Sequence, residues 1–190
     1  PRAAVVDGTN VWAAGGSGGI WLTTVGSTSA PVNVASTPGN LRVIGIYERQ
    51  LFSSTGSGTA GLSQVGTGLP LTSSASSLLA PSMSPYGFAV FDMSTTEPGF
   101  DLIYLADDSG GGGIQRLRKS AGLWSLEATF GPSIRQLACY RDGGDVVCVA
   151  SSSSFLYRYR DTGTATASGA NVLVPLGGQA PQFTAYRGVA

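Results

Sequence analysis

Between residues 101 and 130 apolar and polar positions alternate with a period of two, and turn residues interrupt the alternation twice. Leu102, Ile103, Tyr104, Leu105 and Ala106 form a short run rich in branched and aromatic side chains. Asp107, Asp108, Ser109 and four glycines then reverse the chain, and Ile114, Arg116 and Arg118 alternate with Gln115, Leu117 and Lys119. After a second break at Ser120, Ala121 and Gly122, the pattern predicts a strand over 123–130. Its buried face would carry Trp124, Leu126, Ala128 and Phe130, and its wet face Ser125, Glu127 and Thr129. An apolar run over 87–93 adds a strand upstream, giving a four-stranded antiparallel meander. A propeller blade, a piece of barrel or a piece of sandwich can be built from such a unit.

The same order recurs along the chain. Strands are predicted over 3–6, 10–14, 20–25 and 32–35, then over 41–47, 50–54 and 60–65. Residues 67–85 are rich in Ser, Thr, Ala and Pro, with Leu78 and Leu79 as the apolar anchor, and predict a long surface loop with at most one short edge strand. Further strands are predicted over 134–140, 145–150, 155–160 and 171–176, and 182–190 would open another set. Aligned on their second strands, the sets place Trp12, Phe52, Tyr104 and Cys148 at one position, each followed by small residues, a polar or glycine loop and a strand. The period of roughly 40–50 residues is that of four-stranded propeller blades. The expected fold is therefore an all-β propeller, with blades at 1–40, 41–83, 84–132 and 133–180 and the first strand of a further blade at 181–190. Alternating Phe183, Ala185, Arg187 and Val189 against Thr184, Tyr186 and Gly188, that last strand is expected to bury one face against missing blades or another copy of the chain.

Three motifs resemble a group of secreted β-propeller proteins: LIYLADDSGGGGIQRL at Leu102, SPYGFAVFDM at Ser84 and AYRGVA at Ala185. In that group the blades carry a tyrosine, Ala-Asp-Asp, a glycine loop and a Gly-Gly-Ile-Gln strand, with Phe-Arg-Gly-Val-Ala near the end. Tyr186 stands here in place of the usual phenylalanine. The resemblance implies a ring of about seven blades, of which this chain would supply four and one strand. It implies no activity, because the group is not defined by one.

Charged residues make up 12% of the chain, about half the usual share, and 11 basic residues balance 11 acidic ones. A surface covered mainly by Ser, Thr, Gly, Asn and Gln is expected of an extracellular or cell-surface protein. Zero net charge gives no field to gather nucleic acid, and no apolar run is long enough to span a membrane as a helix. Because the chain opens on Pro1 rather than Met, it is expected to be a processed product or part of something longer. Cys139 and Cys148 flank Gly143-Gly144, a suitable two-residue hairpin turn. That turn would place the cysteines opposite each other at a non-hydrogen-bonded pair, where a disulfide can close.

There is no histidine, which removes the commonest general base and zinc ligand together with any Ser-His or Cys-His pair. The GGSGG at Gly15 matches a nucleophile-elbow string only literally, since no helix or histidine accompanies it. Asp107 and Asp108 have two readings: caps of their own turn, or half of a calcium site completed by loop carbonyls. No other cofactor is expected. Trp21, Tyr157 and Tyr159 are candidate glycan contacts, although Tyr157 and Tyr159 opposite Arg158 and Arg160 also fit an ordinary amphipathic strand. Residues 53–59, 72–77 and 80–85 offer hydroxyls suited to O-linked sugars if exposed, and no Asn-x-Ser/Thr acceptor occurs.

These features point to a non-catalytic extracellular structural or adhesive module, including the repeating subunit of a surface layer or filament. The alternatives are a carbohydrate-binding propeller and a glycan-acting hydrolase or lyase that draws its acids from Asp92, Glu97, Asp101 and Asp108.

Overall fold

The computed structural model describes residues 1–163 and 173–177, so the expected strand at 182–190 and its alternating faces lie outside the described residues. The described residues form sixteen strands and no helix, arranged as four antiparallel four-stranded sheets, each in chain order. Sheet 1 consists of β1 (Ala3–Asp7), β2 (Asn10–Ala14), β3 (Ile20–Thr24) and β4 (Val32–Ala35). Sheet 2 consists of β5 (Leu41–Tyr47), β6 (Gln50–Thr55), β7 (Gly61–Val65) and β8 (Ser76–Pro81). Sheet 3 consists of β9 (Pro85–Phe91), β10 (Leu102–Asp107), β11 (Gly113–Ser120) and β12 (Leu123–Phe130). Sheet 4 consists of β13 (Gln136–Asp142), β14 (Asp145–Ser151), β15 (Leu156–Asp161) and the two-residue β16 (Val174–Pro175). Pro1–Pro85 forms one compact unit and the chain from Tyr86 a second.

In the first unit β5 packs against β1 and β2, and side chains of both sheets, from Trp12 and Leu22 to Leu41 and Val65, share one buried cluster. The 66–75 connection is pinned to that cluster at a different place from the expected Leu78-Leu79 anchor. Leu69 packs on the cluster, and the buried Trp12 indole donates its Nε1 proton to the Pro70 carbonyl at 2.9 Å. A buried indole N–H needs an acceptor, and this loop supplies it. The second strands of sheets 2 and 3 are buried along their whole length, β6 as QLFSST and β10 as LIYLAD. Ser53, Ser54 and Thr55 are therefore interior, as is Ala80, so those parts of the expected sugar-bearing stretches are not exposed loops.

The position that aligned the repeats is fully buried in every sheet: Trp12, Phe52, Tyr104 and Cys148 all have zero exposure. A second regularity lies where the third strand begins. Gly19, Gly61 and Gly113 have φ of 76°, 156° and 158°. A Cβ on them would run into the carbonyl oxygens of Ala35, Ala80 and Phe130 on or at the end of the fourth strand. Glycine is required there because another backbone crosses at contact distance. A third regularity is one extra residue in the fourth strand. The register skips Val34 in β4, Leu79 in β8 and Glu127 in β12, a β-bulge in each of the first three sheets.

The bulge corrects the strict alternation expected over 123–130. At it the facing changes, so Leu126 is 54% exposed while Glu127 is drawn inward. In sheet 4 the pairing Asp142↔Asp145, Arg141↔Val146, Tyr140↔Val147 and Cys139↔Cys148 follows the expected register. Cys139 and Cys148 form a disulfide across a Cα separation of 4.1 Å, the narrow spacing of a non-hydrogen-bonded pair.

Candidate functional site

Opposite the buried alignment position, the third strands carry Leu22 against Trp12, Gln64 against Phe52, Arg116 against Tyr104 and Tyr159 against Cys148. Sheet 3 thus puts an arginine at a core position, and the Arg116 side chain is only 1% exposed. Its bulge residue departs from the repeats in the same way, being Glu127 where β4 has Val34 and β8 has Leu79. A charge taken out of water is tolerated only with partners, and the two departures supply one for each other. Arg116 Nε lies 3.0 Å from Glu127 Oε2, and Arg116 Nη1 lies 3.2 Å from Asp161 Oδ1 at the end of β15.

The network extends in both directions. Arg118, two residues along the same face of β11, sets its Nε 3.2 Å and 3.3 Å from the two Glu127 oxygens, and its Nη1 lies 3.9 Å from Asp101 Oδ2. The other Asp101 oxygen accepts the Met93 amide at 2.6 Å. Asp161, 2% exposed, accepts the Gly163 amide at 2.7 Å and the Tyr104 hydroxyl. Burial first, and then the hydrogen bond to the Asp161 carboxylate, push the Tyr104 phenol far above its ordinary range, so it stays protonated and donates. The Tyr159 ring packs on Tyr104 and Phe130 at centroid distances of 6.0 Å and 4.8 Å. Burial raises its phenol as well, assisted by the Asp161 charge and opposed by Arg116; its hydroxyl sits beside the guanidinium without an aligned hydrogen bond.

A cavity of about 320 Å³ opens on this cluster within the second unit. Tyr104, Arg116, Arg118, Glu127 and Asp161 supply its polar wall. Met93, Leu102 and Val146 supply an apolar one, closed by the backbone at Gly144 and Gly163. Arg118 and Glu127 keep 31% and 22% of their side chains exposed and so face whatever enters.

The residues singled out from sequence fall elsewhere. Asp107 Oδ1 accepts the Ser109 amide at 2.8 Å and its Oδ2 the Gln115 side-chain amide at 3.3 Å, the bonding of a turn cap. Asp108 is ion-paired with Arg135, whose guanidinium the hydrogen bond to Asp108 raises further and which lies 5.3 Å over the Tyr86 ring. Among the described residues no group of three or more His, Cys, Asp or Glu side chains is placed to hold a metal ion. Of the candidate glycan contacts, Trp21 is 39% exposed on β3 and Tyr157 is half-buried on β15, in different units. Tyr159 has zero exposure, which removes it as a surface contact. Arg160 is paired with Asp142 and Asp145 at 2.8 Å each, so that guanidinium is occupied by its neighbours, while Arg158 on the same face is exposed. Glu97 is held by Lys119 and the Gly122 amide, partners different from those of Asp101 and Asp108.

The Arg116 cluster escaped the sequence reading because an arginine in an alternating strand is ordinarily a solvent-facing residue. The available signal was the comparison of repeats: one core position and one bulge position, both apolar in sheet 1, are charged with opposite sign in sheet 3. No family model matches the chain, and no curated protein matches it.

Proposed function

We propose that this chain is a portion of an extracellular β-propeller that serves as a non-catalytic structural or adhesive module. One observation carries the reading: successive four-stranded meanders stack within a unit, with β5 laid against β1 and β2 and one apolar cluster joining the two sheets. This is how neighbouring blades bury their faces. The Cys139–Cys148 disulfide adds support for an oxidising compartment. The absence of histidine from the sequence, and the engagement of Glu127 and Asp161 by guanidinium, phenol and amide donors, support a role in binding rather than in proton transfer. The resemblance of LIYLADDSGGGGIQRL and its companion motifs to secreted propellers points the same way.

Single-particle imaging of the full-length protein that contains this chain, or of the assembly its copies form, tests the architecture. The expected result is a toroid of radially arranged sheets, and two face-packed sheets forming a sandwich would overturn it. Protease shaving of intact producing cells tests location, with loss of the protein from the cell surface or medium expected.

A further inference from the structure

We propose that the cavity at Arg116, Arg118 and Glu127 is a binding site for a single neutral sugar residue, either a free monosaccharide or the terminal unit of a glycan. The inference rests on the reading of the chain as a non-catalytic binding module and adds the ligand class.

The reasoning begins with charge. Two arginines and two carboxylates line the cavity and are already paired at 3.0–3.3 Å. An anion would have to compete with Glu127 and Asp161 for the guanidinium groups, and a cation with Arg116 and Arg118 for the carboxylates. An apolar group would strip water from the partly exposed Arg118 and Glu127 and return no hydrogen bond, and a charged group desolvated without a partner carries a large cost. A sugar hydroxyl both donates and accepts. It can give its proton to a spare lone pair of Glu127 and take one from an N–H of Arg118, so adjacent hydroxyls complete the ion pair instead of breaking it.

The opposite wall fits the rest of such a ligand. Met93, Leu102 and Val146 present hydrocarbon to a C–H face, while Gly144 and Gly163 let the backbone approach without a side chain in the way. About 320 Å³ is at the small end of ligand cavities, room for one ring rather than a chain. Preorganisation is strong, because Arg116 is held from two sides and Asp161 from three, leaving little side-chain freedom to be lost on binding.

The proposal predicts which repeat position matters. Sheet 1 carries Leu22 and Val34 at the sites of Arg116 and Glu127. Its apolar pair performs the structural task without charge, so the charged pair is best explained by a ligand.

The test is binding of neutral hexoses, with glucuronate and glucosamine as charged counterparts. It is followed by saturation-transfer NMR and calorimetry on the intact chain and extended to glycans bearing each hexose terminally. A neutral hexose is expected to bind, and Glu127→Gln and Arg118→Met are each expected to weaken it by roughly tenfold or more while circular dichroism and melting stay close to the parent. Should either variant melt early, blocking the cavity with Gly144→Leu, at an open turn position, serves as the second probe. Binding that survives all folded variants, preference for a charged sugar, or no binding to any hexose or hexose-terminated glycan would overturn the proposal and leave the module reading standing. Release of the aglycone from aryl glycosides would instead overturn the non-catalytic reading while leaving the sugar site in place.

Discussion

Replacing Arg116 with leucine, the residue at the matching place in sheet 1, separates the cost of breaking the ion cluster from the cost of removing it. In the single variant Asp161 keeps the Tyr104 hydroxyl and the Gly163 amide but loses its cation, at a site 2% exposed. Glu127 keeps Arg118. An uncompensated buried carboxylate of this kind costs about 3–5 kcal/mol. With a urea dependence of about 2–3 kcal/mol per molar for a chain of this size, the unfolding midpoint should fall by roughly 1–2.5 M. The combined variant Arg116→Leu, Glu127→Leu, Asp161→Asn removes all three charges, restores the apolar pair of sheet 1 and leaves an acceptor for Tyr104. Apolar replacement of whole buried ion clusters is commonly neutral or stabilising by about 1–4 kcal/mol, so its midpoint should return to the parent value or pass it. The assay is urea unfolding by circular dichroism and tryptophan fluorescence, under non-reducing conditions. A single variant that loses less than about 1 kcal/mol, or a combined variant as weak as the single one, would refute the view that charge rather than packing governs this site.

Three further outcomes are expected. Burial raises the phenols of Tyr47, Tyr104 and Tyr159, that of Tyr47 to about 12. A phenol raised in the folded state contributes its stability fully below the unfolded value near pH ~10 and loses it as pH climbs toward the folded value. Phenolate absorbance should therefore leave these three of the seven tyrosines silent until the protein unfolds in alkali, and all seven titrating near pH ~10 in the folded chain would contradict it. Gly113→Ala should cost more than about 1 kcal/mol, since it pairs a positive φ with a carbonyl in the way, whereas Gly110→Ala, with open space around it, should stay within about 0.5 kcal/mol. Non-reduced peptide mapping should recover Cys139 linked to Cys148, and replacing both with alanine should cost at most about 3 kcal/mol, because the loop closed is short.

Strand positions were legible wherever one physical rule dominated. Alternation placed β2, β4, β5 and β12 at their observed limits, and the Gly143-Gly144 turn set the register that brings Cys139 to Cys148. Even the turn at Glu48-Arg49 was located by its flanking strands, although both residues hold positive φ (44° and 61°) without the glycine or asparagine that eases it. Period-two reasoning failed where one residue is inserted: the bulge at Glu127 leaves no mark on composition, yet there Leu126 turns outward and Glu127 inward. Hydrophobicity likewise misplaced the anchor of the 66–75 connection, because the decisive contact is a backbone carbonyl, that of Pro70, which carries no residue-specific signal. Arg116 and Glu127 were unreadable singly for a related reason. A buried ion pair depends on two residues meeting across strands, and each looks like surface when considered alone.

Each sheet is assembled from strands that follow one another along the chain, which has a consequence for how the protein is made. Hairpins need only short loops to close, the entropy of closure grows slowly with loop length, and pairing of this local kind is fast for a β-protein. Single hairpins form in about 1–10 μs, whereas a ribosome adds roughly 5–20 residues per second. A sheet can therefore be complete before the next one has been synthesised. Cys139 and Cys148, nine residues apart on one hairpin, meet as soon as that hairpin emerges. Within residues 1–190 no other cysteine competes for either partner. Contacts between sheets, which join residues farther apart along the chain, are left as the slower stage of folding.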